Sequence, residues 1–163
     1  MFSLTDSRIL WTEGDAEPRE VEWSAGDVHT HKTEVHSLEN IGEAPIRWVV
    51  FARLDAAIPG HQHEDVHDVA ESDADLSEVV FEDDLARVTR VALEPGESTQ
   101  SHDGGYRVIY SLTDYSVEFT MDDQDPEETT WTAGEVHWHE ADQHQVSNTG
   151  ETRAEYLVVQ FRQ

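Results

Sequence analysis

The stretch SLTDYSVEFTMDDQDPEETTWTAGEVHWHEADQHQVSN, from Ser111 to Asn148, decides the fold of this chain. Within it, Val117, Phe119 and Met121 alternate with polar residues, which is the period-two pattern of a half-buried β-strand. Similar short apolar stretches, separated by glycine, proline and asparagine turn signals, run through the second half of the chain. No stretch shows a sustained helical period. The pattern predicts an all-β protein built as a sandwich or barrel.

The quoted stretch belongs to a duplicated unit. Residues 3–53 align without a gap on residues 111–161, an offset of 108 residues, with about 19 of 51 positions identical. The segment AGDVHTH at Ala25 recurs as AGEVHWH at Ala133, and His36 and Asn40 recur as His144 and Asn148. An ungapped match of this length indicates a repeated structural unit.

The two copies are not equally complete, because residues 79–110 have no counterpart before Met1. We therefore expect three segments: residues 1–54 as a partial repeat, 55–78 as an acidic linker, and 79–163 as a complete domain. Met1 aligns with Ile109, inside a predicted strand. Either Met1 is an internal methionine of a longer protein with two domains, or the partial repeat is completed by packing on the second repeat or on another subunit. Its open strand edges favour a homo-oligomer.

The charge of the chain is strongly negative, with 36 acidic and 10 basic residues and a formal net charge of -26. Self-repulsion of this size destabilises a compact state at ordinary ionic strength, and molar salt screens it. The composition therefore predicts a halophilic protein whose folding depends on salt. It argues against nucleic acid and anionic membranes as partners, since no basic patch is present.

No signal peptide or long apolar run is found, so the expected location is the cytoplasm. The absence of cysteine excludes thiolate sites.

From Pro95 to Asn148 the sequence resembles the cupin superfamily. The first motif of that family is a glycine, five residues, then His-x-His and a later glutamate, and here Gly96 and His102 match its beginning. The second motif ends in a histidine and, four positions on, an asparagine, which match His144 and Asn148. The resemblance implies a cupin-type antiparallel β-barrel, or jelly roll, with one complete barrel plus a repeated half.

The resemblance also implies one divalent transition metal, Fe, Mn, Ni or Zn, but the ligand set is degenerate. Gly104 stands at the second histidine, and the glutamate position falls on Val108 or Ile109. Only His102 and His144 remain as implied metal ligands, and a facial site needs about three. The nonstandard third ligands considered are Asp103, Asp142 and His139. A polar pocket without metal and a filled core are the alternatives.

Two other histidine groups are weaker candidates. His137 and His139 lie two apart on one strand and share a face. Val136 and Trp138 are expected to point into the barrel, which places the two histidines outward or packed between the repeats. The linker holds His61, His63 and His67 beside acidic residues, and closing a site there would require ordering a loop with little apolar support. We interpret this segment as a solvated loop.

The sequence thus predicts a small-molecule pocket inside the barrel, lined by the motif residues and by aromatic residues of the inner face. Its expected lining is His102, His144, Tyr106, Phe119, Trp138 and Asn148. A binding or regulatory role is favoured by the loss of two of the four ligands. The alternatives are a metal-dependent enzyme of the dioxygenase, isomerase or decarboxylase type, and a structural or assembly protein. Catalytic residues cannot be assigned from the sequence.

Overall fold

The computed structural model describes residues 1–31, 35–52, 67–121 and 124–161. The chain divides into two compact units, Met1–Leu54 and Asp55–Gln163. Strand pairing is antiparallel throughout these residues, which confirms the all-β prediction. The N-terminal unit holds β1 (Phe2–Ser3), β2 (Ser7–Glu13), β3 (Arg19–Trp23), β4 (His36–Asn40) and β5 (Trp48–Val49).

The C-terminal unit begins, within its described residues, with one short helix and continues as nine strands. No helix among the described residues has the length and apolar character needed to cross a membrane. The elements are α1 (Val69–Ser72), β6 (Ser77–Glu82), β7 (Ala86–Leu93), β8 (His102–Gly104), β9 (Arg107–Ser111), β10 (Tyr115–Met121), β11 (Glu127–Trp131), β12 (Val136–His139), β13 (Asp142–Asn148) and β14 (Ala154–Phe161).

These nine strands form two sheets. One has the order β11-β10-β13-β8 and the other the order β12-β9-β14-β7-β6. Strands neighbouring in space are often distant in the chain, as expected for a jelly roll. Alternating residues of both sheets meet in one apolar core, in which Val91, Leu93 and Ala154 are fully buried. The tight turn before β12 needs a positive φ, which Gly134 supplies at +94°, and its backbone N–H donates to Ser111 O at 2.8 Å.

The N-terminal unit repeats part of this arrangement. Its strands pair in the order β3-β2-β4, with a separate β1-β5 pair. Ile9 of β2 lies opposite Val21 and Asn40, and Val117 of β10, 108 residues later, lies opposite Thr129 and Asn148. The duplication seen in the sequence therefore extends to strand register.

The predicted linker differs from the structure in its described part. Residues 67–78 contain α1 and the beginning of β6, so a domain start at residue 79 cuts through a strand. Val69 is buried in the core of the C-terminal unit, and Asp68 both caps α1 and pairs with Arg87. The acidic composition of this segment suggested solvation, but burial of Val69 and pairing of Asp68 attach it to the barrel. His61 and His63 lie outside the described residues.

Candidate functional site

The C-terminal unit contains a partly open cavity of about 430 Å³ between its two sheets, a volume typical of small-molecule sites. Aliphatic residues form much of its wall. The side chains of His102, Arg107, Asp142 and His144 also line it and lie together, and we call this group the polar end of the cavity. The aliphatic and aromatic lining residues include Val91, Ile109, Tyr115, Val117, Phe119, Trp131, Val146, Tyr156 and Val158.

The two motif histidines lie side by side in this cavity. His102 of β8 pairs in register with His144 of β13, and their ring centroids are 4.4 Å apart. Both residues are buried. His102 Nδ1 lies 2.9 Å from Gln100 O, and because a carbonyl oxygen only accepts, Nδ1 carries the proton. In the neutral ring, His102 Nε2 is then left as an acceptor.

An arginine that the motif analysis did not single out shares this end of the cavity. Arg107 is 3% exposed, and its Nη1 lies 2.9 Å from Asp142 Oδ1. The same nitrogen donates to the carbonyl oxygens of Gly105 and Glu140, both at 3.1 Å. Arg107 Nη2 is 3.4 Å from both ring nitrogens of His144. The guanidinium is therefore held from several sides in a buried position.

Asp142 completes this group as an ionised carboxylate. Its Oδ1 is also 2.9 Å from His144 Nδ1. Burial alone would raise the pKa of Asp142, but hydrogen bonds from His144 and Arg107 and the charge of Arg107 lower it to about 2. Asp142, Arg107 and His144 thus form one buried cluster with a compensated charge.

Gly104 is what makes room for the guanidinium. A Cβ atom at residue 104 would lie 2.6 Å from Arg107 Cζ and 2.8 Å from His144 Cε1, closer than atoms can approach without displacement. A histidine at this position, as the first cupin motif has it, would overlap Arg107. The positive charge beside His144 is therefore supplied by the Arg107 side chain of the protein itself.

The residues present do not fit the metal that the resemblance implies. Among the described residues, no group of three or more histidine, aspartate or glutamate side chains is arranged to hold a metal ion. The third ligands considered from the sequence do not complete a site with His102 and His144. Asp142 is engaged by Arg107, and His139 by His137. The guanidinium adds a positive charge beside the two histidines, which further opposes a second cation.

The predicted orientation of β12 is wrong. Val136 and Trp138 are 57% and 52% exposed, whereas His137 and His139 are partly buried and line the cavity. His137 Nδ1 and His139 Nε2 are 2.8 Å apart. The His137 ring stacks on Trp131 with centroids 3.7 Å apart. This aromatic stacking and the shared hydrogen bond account for two imidazoles facing inward where Val136 and Trp138 were expected.

Burial keeps the inward-facing imidazoles neutral. Desolvation, with a smaller contribution from the positive charge of Arg107, lowers the pKa of His137, His139 and His144 to about 4 each. The Asp142 carboxylate raises the pKa of His144 without overcoming burial. At neutral pH these rings therefore act as uncharged hydrogen-bonding groups.

The other predicted pocket residues have different fates. Phe119 lines the cavity and stacks on His144, with ring centroids 4.6 Å apart. Trp138 borders the cavity but is half exposed and stacks on Tyr106, which lies outside the lining. Asn148 is buried away from the cavity lining, and its Nδ2 donates to Leu93 O and Thr152 O at 2.9 Å each. Asn148 thus stabilises a turn and is not part of the cavity lining.

Arg107 could have been found from strand periodicity. In β9, Arg107, Ile109 and Ser111 share one face, and all three are buried. A lone arginine on the apolar face of a strand requires an internal partner. The partner, Asp142, is 35 residues away in the sequence, and nothing local connects the two.

The N-terminal unit repeats the stacking of imidazoles on aromatic rings. Trp23 stacks on His29 with centroids 4.1 Å apart, and Trp11 stacks on His36 with centroids 4.6 Å apart. Burial lowers the pKa of His29, as it does that of His137 in the other unit. The recurrence shows that the inner-face chemistry was duplicated together with the strands.

Comparison with solved structures finds matching folds at low sequence identity. A cupin domain from Bordetella pertussis superposes with a TM-score of 0.51 at 18% identity, covering 53% of this chain and 92% of that one. An RmlC-like cupin from Methanocaldococcus jannaschii superposes with a TM-score of 0.46 at 13% identity, covering 68% of this chain and 94% of that one. A predicted oxalate decarboxylase from Thermotoga maritima superposes with a TM-score of 0.39 at 24% identity, covering 49% of this chain and 69% of that one.

The sequence comparisons give no match. No protein-family model matches the chain, and the search of curated proteins finds no relative. The assignment therefore depends on three-dimensional similarity, on the two antiparallel sheets and on the His102–His144 pair. The chain therefore contains a domain with the cupin fold.

Proposed function

We propose that the C-terminal unit binds a small organic molecule in its barrel cavity and does so without a metal ion. The observation that carries this proposal is the buried Arg107 guanidinium, which stands where Gly104 leaves space beside His102 and His144. The cavity is large enough for a ligand, and His102, Arg107, Asp142 and His144 form a polar cluster beside its aliphatic wall. That division is typical of sites that orient an apolar molecule through a few polar contacts.

A binding or regulatory role is favoured over metal-dependent catalysis by the same arrangement. Asp142 Oδ1 lies 2.9 Å from both Arg107 Nη1 and His144 Nδ1, so a metal bound by Asp142 or His144 would have to disrupt the Arg107–Asp142 ion pair. Removing one member of such a pair is costly. The proposal therefore predicts two separate results, one for ligand uptake and one for metal content.

Uptake can be measured with Prodan, a neutral naphthalene dye whose emission shifts to the blue in apolar surroundings. In molar KCl, the full chain is expected to bind one equivalent of Prodan with saturation and a blue shift. Val117→Phe narrows the cavity and should weaken this binding at least tenfold, because Val117 is buried in the cavity wall. The matched control is Val136→Phe, at a position 57% exposed, which should leave the affinity unchanged. Equal affinity in both variants, or no saturable binding by the wild type, would refute the pocket.

Metal content is expected to be far below one equivalent of Fe, Mn, Ni or Zn in protein purified without a histidine tag. Elemental analysis after dialysis measures it. The double variant Gly104→His/Arg107→Ala restores the motif histidine and removes the guanidinium, so it should gain Zn²⁺ affinity by at least tenfold in a titration. Wild-type protein that retains a full equivalent of metal would contradict the proposal and favour a metal-dependent enzyme.

A further inference from the structure

The charged groups around the cavity disfavour an anionic ligand. Arg107 is the single basic residue among the described residues that line it, and this guanidinium is already paired with Asp142. Three more carboxylates, those of Asp68, Asp103 and Glu127, also belong to the lining. Asp68 is paired with Arg87, but a carboxylate or phosphate entering the cavity would still meet the carboxylates of Asp103 and Glu127 and no unpaired cation among the described lining residues. Desolvation of such a ligand would therefore be poorly compensated.

A cationic ligand is disfavoured at the polar end for a different reason. The Arg107 guanidinium lies 3.4 Å from His144 at this end of the cavity, and its positive charge also lowers the pKa of His137 and His139. The same charge would repel a ligand ammonium group placed beside these rings. The cavity therefore suits an uncharged molecule.

Hydrogen-bonding capacity at the polar end favours a donor on the ligand. His102 Nδ1 is committed to Gln100 O, and His144 Nδ1 lies 2.9 Å from the Oδ1 atom of the Asp142 carboxylate, which favours a proton on that nitrogen. In an imidazole whose only proton is on Nδ1, the Nε2 atom is an acceptor. The Nε2 atom of His144 has only long 3.4 Å contact with Arg107 Nη2. Two adjacent acceptors with little competition from the protein match a ligand O–H group.

The rings beside these acceptors favour an aromatic ligand. Phe119 stacks on His144, and Trp131 stacks on His137 at 3.7 Å between centroids. Both aromatic residues line the cavity together with Val91 and Val146. Flat rings and branched aliphatic side chains form a surface on which a planar apolar molecule gains stacking and burial energy.

Resting on the proposed function, we infer that the ligand is an uncharged, hydroxyl-bearing aromatic molecule whose O–H group donates to Nε2 of His102 or His144. The hydroxyl lies at the polar end, and the ring system extends between Phe119 and the valine wall. This assignment defines a chemical class, that of phenolic compounds, and requires neither a metal nor a ligand charge.

Four naphthalenes that differ in one substituent test the inference by displacement of bound Prodan at pH 7. They are 2-naphthol, 2-methoxynaphthalene, 2-naphthoate and 2-naphthylmethylammonium, which present a neutral donor, a neutral group without a donor, an anion and a cation. The dissociation constant of 2-naphthol is expected to be at least tenfold lower than that of each of the other three. A 2-naphthoate or ammonium compound that binds as tightly as 2-naphthol would overturn the inference.

Variants identify the acceptor. His102→Phe and His144→Phe keep a ring but lack an acceptor nitrogen, and at least one of them should reduce the advantage of 2-naphthol over 2-methoxynaphthalene to less than threefold. The control is His67→Phe, since the His67 side chain is 86% exposed. An unchanged advantage in both folded variants overturns the inference, as does failure of all four compounds to displace Prodan. These results leave the pocket itself standing, whereas failure of Prodan to bind removes the proposed function.

Discussion

Arg107→Met is expected to lower the free energy of unfolding by roughly 3–5 kcal/mol. The side chain is 3% exposed, and it neutralises Asp142 at 2.9 Å. Its loss leaves an ionised carboxylate in a half-buried site and removes the donor to the carbonyl oxygens of Gly105 and Glu140. Urea unfolding in molar KCl, followed by tryptophan fluorescence, measures the change.

Two further variants separate the buried pair from arginine loss in general. Arg153→Met removes a half-exposed side chain whose Nε lies 3.6 Å from Glu94 Oε1, and it should cost less than about 1 kcal/mol. The double variant Arg107→Met/Asp142→Leu removes both buried charges and should recover most of the stability lost in the single variant. A loss in Arg107→Met no larger than in Arg153→Met would show that the guanidinium is not holding the cluster together.

Acidification is expected to destabilise the C-terminal unit strongly between pH 6.5 and pH 4. Burial lowers the pKa of His137, His139 and His144 from 6.5 to about 4. In this window the unfolded chain binds protons that the folded chain does not, so the free energy of unfolding falls as the pH falls. For the buried His144 alone the loss is roughly 3 kcal/mol. Below pH 4 this contribution ends, and protonation of Asp142, whose pKa is lowered to about 2, adds a further loss.

The measurement combines urea unfolding at several pH values with NMR titration of the histidine ring protons. His144→Gln should remove its share of the pH dependence and make the stability profile flatter between pH 6.5 and pH 4. His67→Gln, at an exposed position, serves as the control and should retain the wild-type profile. NMR titration of His144 near its ordinary pKa, with identical profiles in both variants, would contradict the burial of an uncharged ring.

The strands and their repeat could be predicted because they depend on local pattern. In β10, Tyr115 and Val117 are buried while the residues between and after them are less so, as the period-two alternation indicated. The turn at Gly134 and the position of His102 beside His144 also agree with the motif spacings. These features are encoded within a few residues, or in a spacing that the cupin resemblance supplies.

The face of β12 could not be predicted from the same kind of pattern. Val136, His137, Trp138 and His139 alternate perfectly, but the alternation does not say which pair points inward. The hydrophobicity of Val136 and Trp138 favoured this pair as the one that points inward. Trp131 stacking on His137 and the bond between the two imidazoles place the histidines inside, and both contacts exist only once β11 and β12 are positioned by the barrel.

The sequence by itself determined the all-β class, the duplication at an offset of 108 residues and the loss of the motif histidine at Gly104. Only the tertiary structure decided what replaces that histidine. Arg107 reaches the space above Gly104 because β8, β9 and β13 bring residues 104, 107 and 142 together. A pairwise contact between a buried guanidinium and a carboxylate 35 residues away leaves no periodic or local trace, since it is the closure of the barrel that removes both groups from water and makes their pairing necessary.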